Sequence, residues 1–351
     1  MDSLPLATQT LYAETLDQLR ALAQSSLAVG TGTFVTKQVK GQLYYYFQYS
    51  LPGGGFLQQY VGRKSAAVDT LVTRWRTGDP AATADRDNLR RLAAQLRAGG
   101  IQVADPASGR VLRALAEAGV FRLGGVLVGT HAFVALGNLL GARWDGGAVR
   151  TQDVDIARAA RTDLDIAVPM LTADVPKILD GLEMGFLPVP GLSPKSPSTS
   201  FKVRGKPLRV DLVTPGRSAE AKPVFIPRLN AAAQPLRYLD YLIEGAEAAA
   251  VIEASPVLVN VPAPARFALH KLALATLRPA MFQTRADKDL QQAAEVLALL
   301  VEDRPGDINL AWQATIKRGR GWERAVRAGM ARLARRRPAV HADVVSLLHL
   351  R

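Results

Sequence analysis

Asp153 and Asp155 stand one residue apart in Thr151-Gln152-Asp153-Val154-Asp155-Ile156-Ala157, a run that reads as a buried strand. Side chains alternate faces along a strand, so both carboxylates leave one face while Val154 and Ile156 enter a core. Two carboxylates aimed at one point repel, and a cation between them relieves the repulsion. Oxygen ligands suit Mg²⁺, which proteins hold by one or two carboxylates together with substrate phosphates. The chemistry indicated is phosphoryl or nucleotidyl transfer. The competing reading is a half-buried strand whose two acids face water.

Other elements stand in an order that could place groups around that pair. Upstream, Leu123 to Gly129 reads as a buried strand ending in glycine. Thr130 is placed to cap a helix from His131 to Leu140 with an apolar stripe of Phe133, Leu136, Leu139 and Leu140. Free backbone N–H groups where that helix begins, after Gly129, suit phosphate oxygens. Residues 143–150 read as a loop leading into the acidic strand. Downstream come a helix from Ala173 to Glu183, a Pro/Ser-rich loop from Ser193 to Ser200, and a hairpin of Ser200–Arg204 and Leu208–Val213 turned at Gly205-Lys206. Asp211, between Val210 and Leu212, could complete a second metal position and help deprotonate an attacking hydroxyl. Lys271, on a later helix, could neutralise triphosphate charge as a point cation.

Leu127-Val128-Gly129-Thr130-His131-Ala132 with Asp153-Val154-Asp155 and Val210-Asp211-Leu212 resembles the DNA polymerase β-type nucleotidyltransferase superfamily. Its pattern is a glycine turn, a D-x-D and a third Asp on a neighbouring strand. The longer run through Phe133 and Thr151-Gln152 resembles a bacterial nucleotidyltransferase-like family. Ala268-Leu269-His270-Lys271-Leu272 with Lys288-Asp289 resembles the helical half of AbiEii-type nucleotidyltransferase toxins. The resemblance covers roughly residues 121–300 and leaves the first 120 unexplained. It implies metal-binding catalytic acids at Asp153, Asp155 and Asp211, and a nucleotide site of Gly129, Thr130, Arg150, Lys271, Lys288 and Asp289. It also implies two Mg²⁺ ions, with Mn²⁺ as a substitute, and a transfer that inactivates its target, held in check by an antitoxin. The spacing from Gly129 to Asp153 exceeds that of minimal members. A second D-x-D, Asp163-Leu164-Asp165, competes with the first, which is preferred because the glycine turn and helix lead directly into it.

Composition narrows the setting. The 351 residues include no cysteine, so a disulfide framework, a thiolate zinc site and a cysteine nucleophile are excluded. Hydrophobic residues make up 48%, enough for two or three packed units. The first residues lack a basic region followed by an apolar run, and no apolar stretch is long enough to span a bilayer, which leads us to expect a cytoplasmic protein with no membrane partner. A net charge of +13 favours a polyanionic partner.

A first helix from Thr8 to Gln24 is expected. Strands follow at Gly32–Lys40, Gln42–Tyr49 and Phe56–Val61, then helical residues from Ala66 to Arg97 and a short helix from Ser108 to Ala118. In the aromatic strand Tyr44-Tyr45-Tyr46-Phe47 one face could stack bases, with core packing as the alternative. His131 and Arg285 are candidates for nucleotide contact. His270 reads as structural, and His341 and His349 stand apart from any carboxylate cluster. From Lys317 to Arg337 nine basic residues face one acid, Glu323, and could contact a phosphate backbone.

The fold expected is α+β: an N-terminal α/β segment (1–120), a polymerase-β-like nucleotidyltransferase core with a mixed sheet and flanking helices (121–262), and a helical C-terminal domain (263–351). The function expected is metal-dependent transfer of a nucleoside monophosphate from an NTP to an acceptor hydroxyl, with an RNA or tRNA 3′ end as leading acceptor. Nucleotidylation of a protein or small molecule is the alternative within enzymes, and a catalytically idle nucleic-acid-binding module the alternative outside them. Neither the choice of NTP nor the oligomeric state is readable from the residues.

Overall fold

The computed structural model describes residues 1–26, 33–50, 56–77, 80–145, 149, 151–159, 172–191, 196–217 and 222–350. Arg150 and the second acidic pair, Asp163 and Asp165, lie outside them. The N-terminal elements are β1 (Asp2–Ser3), α1 (Leu6–Ser26), β2 (Thr33–Val39), β3 (Gln42–Ser50), β4 (Phe56–Arg63), α2 (Ala66–Thr77), α3 (Pro80–Ala98) and α4 (Pro106–Glu117). The residues read as helical over 66–97 form two helices. Pro80, which cannot continue a helix already under way, opens the second.

Next come β5 (Val126–Val128), α5 (Gly129–Leu139), β6 (Ala142–Arg143), β7 (Asp153–Ala157), α6 (Val175–Asp180), β8 (Phe186–Pro188), β9 (Ser200–Val203), β10 (Arg209–Pro215), β11 (Val224–Ile226) and β12 (Ala231–Leu236). Seven of these strands form one mixed sheet, with β11-β12-β10-β7-β5 side by side and β9 and β8 continuing from β10. β7 and β10 run parallel, as do β10 and β12, whereas β5 pairs antiparallel with β7. The expected hairpin of β9 and β10 is present, with Asp211 opposite Ser200. Period-two alternation governs the central pair: Val154, Ile156, Val210 and Leu212 are at most 1% exposed. Burying side chains of this size stabilises by roughly 1.5–3 kcal/mol each. Their burial also fixes which face Asp153, Asp155 and Asp211 share, since a slip of one residue would exchange the faces.

After α7 (Leu239–Ile243) a two-stranded ribbon, β13 (Glu247–Val251) and β14 (Val257–Val261), pairs antiparallel. Asn260 ties it to the turn before β5 by donating to the carbonyls of Phe121 (2.8 Å) and Gly125 (2.9 Å). The remainder is helical, as expected: α8 (Pro264–Leu277), α9 (Gln283–Asp303), α10 (Pro305–Lys317), α11 (Arg320–Arg336) and α12 (Pro338–Leu347). α8 lies against α9 and α11. A Cβ on Gly329 would come within 2.3 Å of the Leu272 carbonyl oxygen, so only glycine lets α11 approach α8 that closely.

The N-terminal segment divides among three cores. Tyr12, Leu16 and Leu19 of α1 and Leu89, Leu92 and Leu96 of α3 pack with Ala250 and Ile252 beside the ribbon. Tyr12 Oη accepts from the Ala250 amide at 2.9 Å. α4 contributes Val111, Leu112 and Leu115 to the main core. The three-stranded sheet β2-β3-β4 keeps a small core of its own, Phe34, Tyr45, Phe47 and Val72. Among the described residues no helix is long and apolar enough to cross a membrane.

Candidate active site

The parallel pairing of β7 with β10 sets Asp155 directly beside Asp211 and Asp153 beside Arg209. The antiparallel pairing of β5 brings Val128 alongside Asp155, so α5 begins next to that carboxylate. Gly129 has φ +69°, and a Cβ there would stand 2.3 Å from Asp155 Oδ2. Two demands therefore converge on glycine: a left-handed backbone, and room for an acid pressed against the first turn of a helix. The N–H groups of that turn have no partner inside the helix and carry the positive end of its dipole. Thr130 does not cap, contrary to expectation. Helix geometry already starts at Gly129, Val128 is the N-cap without a side-chain bond, and Thr130 is buried in the first turn.

Asp155 is the electrostatic centre of the group. Its carboxyl is raised from 3.8 to about 7, first by burial and then by the charges of Asp211 and Asp153, with Lys271 and Arg209 acting in the opposite direction. Three acids on one face with too little positive charge make a site that favours a cation. Arg209 Nε donates to Asp211 Oδ1 at 2.7 Å and to Ser200 Oγ at 2.6 Å, which holds Asp211 by one oxygen. The sequence reading missed Arg209, although its place two residues before Asp211 on a strand put both on one face.

Among the described residues, no three His, Asp or Glu side chains gather into a ready-made metal cage. The donor set fits Mg²⁺ or Mn²⁺ nonetheless: all-oxygen ligands, a half-buried acid with unrelieved negative neighbours, and a Gly129 cradle in which a Cβ would displace Asp155. Ions that bind this way complete their shell with phosphate oxygens and water.

The helical residues sort differently from expectation. Lys271 is buried and donates to Asp289 Oδ1 at 2.8 Å, while Arg278 Nε donates to Asp289 Oδ2 at 2.6 Å. Burial pushes the Asp289 carboxyl up, but the two cations outweigh it and hold it below its usual range. Asp289 is thus the buried centre of a clamp that positions Lys271. Lys271 is not a free point cation, yet its charge is felt at Asp155. Lys288 is half-buried, and burial followed by repulsion from Lys271 lowers its pKa against the opposing pull of Asp289, Asp153 and Asp155. Arg285 is exposed and stacks on Phe282.

A cleft of about 630 Å³ opens beside this group, with Asp153, Lys288, His131, Asp105, Thr151 and Gln152 in its wall. His131 is buried, its Nε2 has no hydrogen-bond partner, and burial lowers its pKa to about 4. Burial thus favours the neutral imidazole, and Nε2 is closed off from solvent. His270 is buried beside the Trp322 ring, with its pKa lowered to about 3 by burial and by Lys271, in keeping with a structural role.

Part of the basic C-terminal run is engaged within the protein. Arg318 pairs with Asp240 and Glu244, Arg327 with Glu323 and the Trp312 ring, and Arg336 with Asp287. Arg332 donates to the Ala275 carbonyl. The surface they form is less positive than the bare sequence suggests.

Against known proteins, a family model described as nucleotidyltransferase matches residues 106–317. No curated protein matches the chain. A solved structure, an antigenic nucleotidyltransferase-like protein from Paracoccidioides brasiliensis, is 13% identical with a TM-score of 0.37, over 70% of this chain and 99% of that one.

Proposed function

We propose, since this chain belongs to the nucleotidyltransferase family and is a transferase, that Asp153, Asp155 and Asp211 form its catalytic centre and that it transfers a nucleoside monophosphate from an NTP to an acceptor hydroxyl. The observation that carries the reading is the register of β7 and β10, with Asp155 beside Asp211 and against the glycine that opens α5. Divalent metal held by the three acids would neutralise phosphate charge and polarise the α-phosphorus.

The chain's own residues supply the rest. The first-turn amides after Gly129 donate to the oxygens at the anionic end of the triphosphate. Lys288, on the cleft wall, and the clamped Lys271 add positive charge behind it. Neutral His131 lines the space for the remainder of the nucleotide. Asp211, held by Arg209, takes the proton of the acceptor hydroxyl as its oxygen bonds to the α-phosphorus. The bond from that phosphorus to the bridging oxygen breaks, and pyrophosphate leaves.

The acceptor favoured is an RNA 3′ end, because a net charge of +13 suits a polyanion better than a small molecule. The test incubates the protein with each α-labelled NTP, Mg²⁺ and total RNA, and in parallel with protein lysate. Label in RNA that is lost with Asp153→Ala supports the reading, and label only in protein replaces the acceptor. No transfer with any metal leaves the fold as a binding module.

A further inference from the structure

The sheet β2-β3-β4 carries an aromatic surface that the transfer chemistry does not use. Along β3, Tyr45 and Phe47 turn inward to Phe34 and to Val72 of α2, and Tyr45 Oη donates to Asp69 at 2.6 Å. Alternation sends Tyr44 and Tyr46 to the opposite face. Pairing there sets Tyr46 against Tyr60 of β4, and sets Tyr44 between Lys37 of β2 and Arg63 of β4. A bulge at Tyr45/Tyr46 shifts the register and brings Tyr60 to both rings, at 6.0 Å from Tyr44 and 5.7 Å from Tyr46. Lys37 Nζ lies 5.1 Å from the centre of the Tyr46 ring. Tyr60 is 56% exposed.

An outward sheet face ordinarily carries small or charged polar residues of both signs. Pairing places two cations on this one, Lys37 and Arg63, and the sequence from Thr33 to Lys64 contains no acid. A protein partner would bring mixed charge and aliphatic area. Planar rings strung on a chain of negative charges match both properties of the surface at once.

We propose that this face binds single-stranded RNA, with unpaired bases stacked on Tyr44, Tyr46 and Tyr60 and backbone phosphates against Lys37 and Arg63. Binding there needs neither metal nor NTP, so the proposal goes beyond the transfer reading and survives its failure. If transfer to RNA is correct, the sheet is where the acceptor is held.

The test uses the full chain without Mg²⁺, a 5′-fluorescein 12-nucleotide RNA of mixed sequence, and fluorescence anisotropy across a salt series. Tyr60→Ala should weaken binding by about 5- to 150-fold, the range for losing one stacked base, and Tyr60→Phe should retain it. Lys37→Ala should weaken binding and reduce the slope against log salt by about 1. The same RNA annealed to its complement should bind less tightly, because pairing hides the base faces. Tyr60 is a rim residue, and thermal melts of each variant confirm folding. Wild-type protein that does not bind, Tyr60→Ala that binds as well as wild type, or equal affinity for the duplex would each overturn the proposal.

Discussion

Replacing Asp155 by asparagine keeps the shape of the side chain and removes the charge that the site cannot settle without a cation. In the metal-free protein the Asp155 carboxyl titrates at about 7 instead of 3.8. The folded state therefore holds this proton more tightly than the unfolded chain does. Linkage fixes the sign: the wild type loses stability as pH rises from about 4 to 7, and the loss is complete above that. At roughly 1.4 kcal/mol per pH unit the full cost is about 4 kcal/mol, a ceiling that solvent reaching this half-buried group reduces. Asp155→Asn should escape that cost. In EDTA at pH 8 its denaturant midpoint should lie above the wild type's, and the difference should shrink at pH 5 and vanish below pH 4. Adding Mg²⁺ at pH 8 should stabilise the wild type and leave the variant unchanged. Transfer activity should be lost despite the added stability. A variant less stable than wild type in EDTA at pH 8, or one equally stabilised by Mg²⁺, would refute the reasoning.

Other perturbations separate positioning from chemistry. Gly129→Ala should abolish activity and cost about 1–3 kcal/mol, since its Cβ meets the Asp155 carboxylate in a left-handed backbone; steady-state assays and denaturant melts check both. Asp289→Ala leaves Lys271 and Arg278 facing each other without a counter-charge and should destabilise by about 3–5 kcal/mol. Because the Asp289 carboxyl is held below its usual range, the wild type's advantage over that variant should be present above about pH 4 and fade as pH falls further, which paired melts at pH 7 and pH 3 would show. Arg209→Ala should lower kcat by about 10- to 100-fold with little change in KM for the NTP, as expected when the support of a catalytic acid is removed; Arg209→Lys should recover part of it. Lys288→Met should instead raise KM for the NTP, and a KM unchanged in titrations of NTP would remove Lys288 from the nucleotide site.

Much of the centre was legible because its signals are local. Alternation around Asp153/Asp155 and Asp211 needs only the period of a strand, and a glycine between an apolar strand and an apolar helix marks a tight turn. The pairing that brings those acids together is not local: nothing within β7 or β10 says that they run parallel and side by side. Arg209 was within reach of the same strand logic and was overlooked because the acids drew attention first. The clamp of Lys271, Arg278 and Asp289 depends on two helices packing closely, and Lys271 therefore read as free when it is held. Thr130 read as a cap from its residue type, while the backbone had already become helical at Gly129. Within the N-terminal residues, α1 and α3 pack beside the ribbon, α4 joins the main core, and α2 packs with the strands β2, β3 and β4, a division that depends on tertiary contacts and not on local pattern.

The central claim is that the face shared by Asp153, Asp155 and Asp211 holds metal and nucleotide. Crystals grown with Mn²⁺ and a non-hydrolysable NTP, measured for anomalous scattering, test it directly. Strong peaks between the carboxylates of Asp155 and Asp211 or of Asp153 and Asp155, with the triphosphate at the start of α5, are the expected result. Nucleotide bound elsewhere, or Mn²⁺ that avoids all three acids while nucleotide is bound, would contradict it.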